Sequence, residues 1–206
     1  PQVVELVNSD IPVITIDYEF GCISSVVSDN ISGLTDIVNY VVSKGHENIA
    51  FIYGDDTQVT KFRLASFYKA MEDNGLKVPS QFVKKGAYHI PRESGVATRE
   101  LLDLPIRPTC IIYPDDYSLL GGLTEIEKHG LREPEDISIV GYDGIPLSRL
   151  LRPIVSTYVQ DTEKIGTYAG KKIIETIKNP KSAIAEKIIV KGYLQEGATV
   201  KDIRKQ

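Results

Sequence analysis

The segment "ISIVGYDG" at residues 137–144 runs from an apolar, strand-like stretch directly into Gly141, Tyr142, Asp143 and Gly144. A continuously apolar run of this length suits a strand that is buried on both faces, as in a parallel sheet covered by helices. The two glycines indicate a constrained backbone, because glycine adopts angles that other residues avoid. The segment therefore predicts a buried strand that ends on a carboxylate.

Apolar runs of the same kind recur along the chain and alternate with segments of helical character. The runs are "IPVITI" (11–16), "NIAFIY" (48–53), "TCIIY" (109–113) and "KIIV" (187–190). The helical segments are 33–44, 60–74, 93–103, 117–129 and 162–178. In the longer ones, apolar residues recur three and four positions apart, which is the spacing of one helix face. This alternation predicts an α/β fold with parallel sheets flanked by helices.

Length and charge bound the class of protein before any motif is considered. The chain has 206 residues, of which 42% are hydrophobic, and a formal net charge of -4. These values are ordinary for a soluble globular protein, and the length suits two lobes of about 100 residues or one larger domain. Because the sequence has no Lys/Arg-rich run, this chain is not expected to grip nucleic acid itself.

Two further features predict the compartment. No apolar stretch is long enough to cross a bilayer and no signal-peptide pattern is visible, so the sequence predicts a cytoplasmic protein without a membrane partner. Cys22 and Cys110 make no disulfide framework, and Cys110 lies inside an apolar run. A thiol there behaves as a small hydrophobic group, which favours a reducing compartment.

Carboxylates gather where the predicted strands end. They are Asp17, Asp55, Asp56, Asp115, Asp116 and Asp143. Ligands of open α/β sheets bind beyond the carboxyl ends of the strands, so these side chains are candidates for contact with a ligand. An acid at the start of a helix is also a common N-cap, and that role is predicted for Asp56, Asp116 and Asp161. Asp143 is the stronger ligand candidate, because no clear helix start follows it.

Two other side chains complement these carboxylates. Arg63 opens the helix after the Asp55–Asp56 loop, where its guanidinium could fork onto ligand oxygens. A surface ion pair with Asp55 or Asp56 is the alternative for Arg63. Tyr88 in "GAYHIP" follows another expected strand, and its ring either stacks on a ligand or packs within the protein.

The motifs of common enzyme classes are absent from the sequence. It has no GxGxxG or GxxxxGK[ST] loop to cradle phosphates and no GxSxG nucleophile elbow. His46, His89 and His129 lack metal-ligand spacing. Neither catalysis, a metal nor a cofactor is therefore predicted. Aspartates at strand ends would also suit a phosphate-accepting receiver domain or another phosphoryl-transfer protein, although receiver domains are normally smaller.

Three long stretches resemble the effector-binding region of the LacI/GalR family of bacterial transcription repressors. They are "VVSDNISGLTDIVNYVVSKGHENIAFIYG" (26–54), "FRLASFYKAMEDNGL" (62–76) and residues 104–166, which include "RPTCII", "PEDISIVGYD" and "STYVQD". They follow the family's order and approximate spacing, and they cover nearly the whole chain. The resemblance implies a domain that binds a small polar effector, first of all a sugar, and that controls DNA binding by a separate headpiece.

The same resemblance implies a periplasmic-binding-protein-like fold. Two lobes, each a parallel sheet wrapped by helices, would hold the ligand between them, and a homodimer would pass lobe closure to the headpiece. The first lobe is expected at residues 1–50 with 161–180. The second is expected at 51–158 with 183–200, which leaves 201–206 as a solvated tail.

Individual residues of the ligand site are also implied by the resemblance. Arg63 matches an arginine that contacts sugars or purines in family members, and Asp143 matches the first Asp of the family's Gly-Tyr-Asp-Asp. Asp115 stands where sugar-responsive members often have Asn, and Tyr88 stands where an aromatic is common. The weaker candidates are Asp29, Ser32 and Gln160.

Departures from the family pattern bear on the function. Asp115 in place of Asn removes a donor and adds charge, and Gly144 replaces the second Asp. The family's helix-turn-helix, hinge helix and opening first-lobe strands have no counterpart in the sequence. We therefore expect an incomplete first lobe that pairs with another chain or is disturbed. A transport or chemoreceptor sugar-binding protein of the same fold is the alternative function, and it would require a secretory signal upstream.

Overall fold

The computed structural model describes residues 5–6, 11–21, 23–179 and 184–204. The strands are β1 (Ile14–Ile16), β2 (Ser24–Ser28), β3 (Ile49–Tyr53), β4 (Val83–Lys85), β5 (Cys110–Ile112), β6 (Ser138–Asp143), β7 (Ser156–Val159), β8 (Lys187–Val190) and β9 (Tyr193–Gln195). The α-helices are α1 (Asn30–Ser43), α2 (Gln58–Asp73), α3 (Pro91–Leu102), α4 (Asp116–Lys128), α5 (Pro146–Leu150) and α6 (Thr162–Lys178). The chain forms two compact units, Pro1–Asp29 with Asp161–Gly192 and Asn30–Gln160 with Tyr193–Gln206.

The first unit contains a three-stranded parallel sheet in the order β1-β2-β8. Helix α6 packs against all three strands. The buried apolar cluster of this unit comprises Val26, Ile165 and Val190, with Ala169 and Ile188 packed against it. This core is small because α6 is the helix that covers the sheet in the described part of the unit.

The second unit contains a six-stranded sheet in the order β4-β3-β5-β6-β7-β9, in which β9 alone is antiparallel. Successive residues of a strand point to opposite faces. Phe51 of β3 accordingly joins a core with Leu34 and Phe67 of α1 and α2. Its neighbour Ile52 joins a separate core, which contains Leu101 of α3 and buried apolar residues of α4. Helices therefore cover this sheet on both faces, which confirms the predicted class.

The helix starts show which predicted caps form. Asp161 accepts a hydrogen bond from the Lys164 N–H at 3.0 Å and caps α6, as predicted. The predicted cap at Asp116 is wrong, because Asp115 caps α4 and Asp116 is already its first helical residue. The predicted cap at Asp56 is also wrong, since Thr57 caps α2.

The structure moves two of the predicted lobe boundaries. Helix α1 lies within the predicted first lobe of residues 1–50 but belongs to the second unit, because its apolar face packs in the core that contains Tyr142 and Tyr158. Strand β8 lies within the predicted second-lobe segment 183–200 but belongs to the first unit, where it pairs with β2. In both cases the side-chain packing and strand pairing decide the unit, and sequence position does not.

The segment expected to be a free tail is anchored in its described part. The Ile203 N–H donates to the Lys44 carbonyl at 2.9 Å, and the buried His46 ring lies 3.0 Å from the Lys201 carbonyl. His46 also contacts Thr109 at 2.8 Å. Residues 201–204 are thereby tied to the end of α1 and to the start of β5.

Candidate functional site

The candidate site lies in the second unit, at the carboxyl ends of strands β3, β5, β6 and β7. These four strands are parallel, so the loops that follow them emerge at one edge of the sheet. Ligands of such sheets bind at this edge. The predicted site residues Arg63, Tyr88, Asp115 and Asp143 belong to this unit, and the helix that contains Arg63 begins earlier than predicted, at Gln58.

Arg63 is the central cation of this edge. It is 4% exposed, and its Nε donates to Asn30 Oδ1 while its Nη1 donates to the Pro114 carbonyl, both at 2.8 Å. The guanidinium lies 3.5 Å from the centre of the Tyr142 ring and 5.8 Å from that of Tyr88. A guanidinium between aromatic rings is held in place by cation–π attraction. Arg63 is thus a buried, oriented group, and these contacts take the place of the surface ion pair that was the alternative for this residue.

Tyr88 packs within the protein. Its hydroxyl lies 2.9 Å from Thr60 Oγ1, and its N–H donates to Asp55 Oδ2 at 3.3 Å. The ring covers Gly54, where an added Cβ would stand 2.3 Å from it. Tyr88 is therefore packed against the loop after β3, and it stays half-buried.

Asp143 closes strand β6 in an unusual backbone conformation, with φ at 98°. Its Oδ1 accepts a hydrogen bond from Gln160 Nε2 at 2.5 Å, and its carbonyl accepts from the Gln160 N–H at 3.1 Å. Burial raises the pKa of the Asp143 carboxyl, while the Arg63 charge and the Gln160 hydrogen bond oppose that rise. The predicted pair Asp143 and Gln160 is thus joined in one hydrogen-bonded unit.

Asp115 is buried and held by hydrogen bonds within the protein. It is 1% exposed, and its Oδ1 accepts from the Ser118 N–H at 2.7 Å. Its Oδ2 accepts from the Ser118 hydroxyl at 2.8 Å and from the His89 N–H at 3.0 Å. Both carboxylate oxygens are therefore engaged by groups of the protein.

The two weaker candidates on "SDNIS" fall in different units of the chain. Asp29 belongs to the first unit, where its N–H donates to the Val190 carbonyl. Ser32 lies half-buried in the first turn of α1. Asn30, which lies between them, accepts the Arg63 hydrogen bond, and the sequence analysis did not single it out. An amide within a buried helix start was the signal that could have identified it.

The arrangement suits recognition by hydrogen bonding. A guanidinium donates only, and an ionised carboxylate accepts only, so together they complement a ligand that carries hydroxyl groups. Within the described residues, no group of His, Cys, Asp and Glu is arranged to hold a metal ion. In the same part of the chain, no helix is long and apolar enough to span a bilayer.

Fold and site together define an α/β ligand-binding domain, and comparison with known proteins gives its family. Residues 38–200 match the family described as periplasmic binding protein-like domain. The chain belongs to this family, and its relatives place it among the LacI-family transcriptional regulators, as the sequence predicted.

Two curated relatives illustrate the extent of the match. The HTH-type transcriptional repressor CytR of Escherichia coli (strain K12) is 32% identical over 151 residues, which are 73% of this chain and 44% of CytR. The probable HTH-type transcriptional repressor ExuR of Bacillus subtilis (strain 168) is 30% identical over 184 residues, or 88% of this chain and 54% of ExuR. The chain spans about half the length of these relatives.

Solved structures agree with this assignment. A putative LacI transcriptional regulator from Bacillus cereus subsp. cytotoxis NVH 391-98 superposes with a TM-score of 0.90 at 28% identity, covering 97% of this chain and 72% of that one. A LacI family regulator from Enterococcus faecium with bound ribose gives 0.86 at 22% identity, covering 96% and 74%. The second likeness establishes the fold alone.

Proposed function

We propose that this chain is the effector-sensing part of a LacI/GalR-type transcriptional repressor and that its effector is a neutral, hydroxyl-rich small molecule, first of all a sugar. The repressor names of the relatives support the regulatory role. The effector would control DNA binding by a helix-turn-helix domain of the kind in those names, in a cytoplasmic homodimer. No step of catalysis is part of this proposal.

The observation that carries the proposal is the Arg63 guanidinium, stacked on Tyr142 and oriented by Asn30 and Pro114. Those two hydrogen bonds use two of its five N–H donors, which leaves three for the oxygens of a ligand. Because the cation is already fixed, little conformational entropy is lost when it binds. A fixed donor fork is suited to adjacent hydroxyl groups of one small molecule.

Asp143 supplies the complementary acceptor. Gln160 holds one of its carboxylate oxygens, and a ligand hydroxyl would donate to the carboxylate. The half-buried Tyr88 ring would cover one face of a sugar ring. Asp29 and Ser32 remain proposed contacts of lower rank. Both carboxylate oxygens of Asp115 already accept hydrogen bonds from the protein, which favours an indirect role for that residue.

The test is a thermal-shift screen of the chain with D-ribose, D-glucose and cellobiose, followed by calorimetry on each sugar that raises the melting temperature. Asp143→Asn removes the charge but keeps the shape, and Arg63→Lys keeps the charge but removes the fork. Each should weaken binding about 10- to 100-fold, since a hydrogen bond to a charged group is lost.

Arg149→Lys is the matched control, because Arg149 is exposed and its Nε donates a hydrogen bond to Gln195 Oε1. It should leave the affinity unchanged. A screen in which no sugar shifts the melting temperature would contradict the sugar assignment. Equal affinity in the Asp143→Asn protein would contradict the site.

A further inference from the structure

Two loops of the candidate site are held in backbone conformations that side-chain-bearing residues rarely adopt. His89, next to Tyr88, has φ at 58°, and Asp143 has φ at 98°. Such conformations persist only where the surroundings impose them. Some group of the protein must therefore fix each loop.

Consecutive aspartates at the start of α4 make these contacts. Asp115 Oδ2 accepts from the His89 N–H at 3.0 Å. Asp116 Oδ2 accepts from the Ile145 N–H at 2.9 Å, and the Gly144 N–H also donates to this carboxyl. One carboxyl thus holds the loop that carries Tyr88, and the next holds the turn that follows Asp143.

The residues around Asp116 show that strand β6 leaves a space for its carboxyl. Its Oδ1 accepts from the Thr157 hydroxyl at 2.6 Å, and a Cβ added at Gly141 would stand 2.0 Å from the same oxygen. Only glycine at position 141 leaves room for the carboxyl beneath the strand. At 2% exposure, with donors on both oxygens, Asp116 is not placed to contact a ligand directly.

We infer that Asp115 and Asp116 are paired positioning residues, which fix the backbone of Tyr88 and of Asp143 from a single helix start without touching the effector. That Tyr88 and Asp143 bind the effector rests on the proposed function. The contacts of Asp115 and Asp116 with the two loops do not depend on it. Both carboxyls accept N–H groups from a loop, and the two contacts start from neighbouring residues of one helix.

The first test is amide hydrogen exchange, measured by NMR on the 206-residue chain and two variants. Asp116→Asn should accelerate exchange at Ile145 and Gly144 by about 10-fold or more and leave His89 unchanged. Asp115→Asn should accelerate exchange at His89 and leave Ile145 unchanged. Each variant is therefore the control for the other. Equal acceleration at both loops in either variant, or none at the predicted one, would overturn the inference.

A second measurement needs no variant and remains decisive if a variant fails to fold. Burial raises the pKa of Asp116 to about 7. In the unaltered chain, the charge of this carboxyl should change across the range around that value, and the Ile145 amide proton shift should follow the change. An Ile145 amide proton that exchanges in the unaltered chain as fast as one without a hydrogen bond would overturn the contact. If the amides respond as expected but no sugar binds, the proposed function fails and the positioning roles stand.

Discussion

The two sheets contain strands of similar composition, yet they bury them very differently. In β5 of the second unit, Ile112 is fully buried beneath helices. In the first unit, Ile16 of β1 and Ile189 of β8 are 54% and 56% exposed. The contrast shows that an apolar strand sequence specifies a strand, whereas its burial depends on how many helices cover the sheet.

Within the described residues, the face of the first sheet that α6 packs against is covered only in part. A groove of about 410 Å³ runs between β1 and α6 and is lined by apolar side chains that include Ile11, Ile14 and Ile173. The hydrophobic effect scales with apolar area removed from water, so this surface contributes little to folding while it stays exposed.

The largest effect is expected from one substitution made in both sheets. Ile112→Ala should lower the free energy of unfolding by about 2–5 kcal/mol, because it leaves a cavity in a packed core. Ile189→Ala should change it by no more than about 0.5 kcal/mol, because that side chain is largely in water. Urea unfolding followed by circular dichroism measures both. A comparable loss at Ile189 would mean that this side chain is covered in solution.

A smaller effect is expected from a pair of helix glycines. Gly121 of α4 lies so close to α3 that an added Cβ would stand 1.7 Å from the Pro91 carbonyl oxygen, while Gly170 of α6 has no atom within 4 Å of that position. Gly121→Ala should therefore cost about 1–3 kcal/mol through overpacking. Gly170→Ala should stabilise by about 0.4–1 kcal/mol. Melting temperatures that move in the same direction would refute this difference in helix packing.

The pH dependence of stability should come in part from Asp116 of the second unit. An aspartate of the unfolded chain titrates near 3.9, whereas burial raises the folded pKa of Asp116 to about 7. The native state then binds more protons between these values, so the free energy of unfolding should fall as the pH rises from about 4 to about 7.

Urea unfolding at a series of pH values measures this slope. The contribution of Asp116 is at most that of one proton, and Asp116→Asn should remove it. Part of the slope should remain in the variant, because burial also raises the pKa of Asp143. An identical pH profile in the two proteins would show that Asp116 titrates normally.

The comparison also shows what the sequence could predict of the fold. The apolar runs predicted β3, β5, β6 and β8, and the helical spacing of apolar residues predicted the longer helices. Strands β2 and β7 were missed because "SSVVS" and "STYV" hold buried serines in place of a continuous apolar run. These strands depend on hydrogen bonds from distant segments, such as the Ser156 N–H to Thr199 Oγ1 at 2.9 Å, which no local pattern encodes.

The site shows the same limit. Arg63 and Asp143 were predicted, because each side chain follows a recognisable strand or opens a helix. The sequence did not predict that Asp115 holds one loop and Asp116 holds the other, because their backbone partners lie 26 and 29 residues away in the sequence. Residue type and strand position therefore identified the edge of the sheet, whereas the contact geometry distinguishes positioning residues from candidates for ligand contact.

The smallest expected effect concerns self-association through the first unit. Among the described residues, β1 is the outer strand of its sheet and has a strand partner on one side alone, with Ile16 exposed, and such edges pair with other chains unless a charge blocks them. Ile16→Lys should shift the sedimentation coefficient of the concentrated chain toward that of a monomer. Ile154→Lys is the control, because Ile154 is 40% exposed in the second unit and should leave the association unchanged. If Ile154→Lys dissociates the chain and Ile16→Lys does not, the contact between copies lies on the second unit, and the open sheet of the first unit is stable in water without a partner.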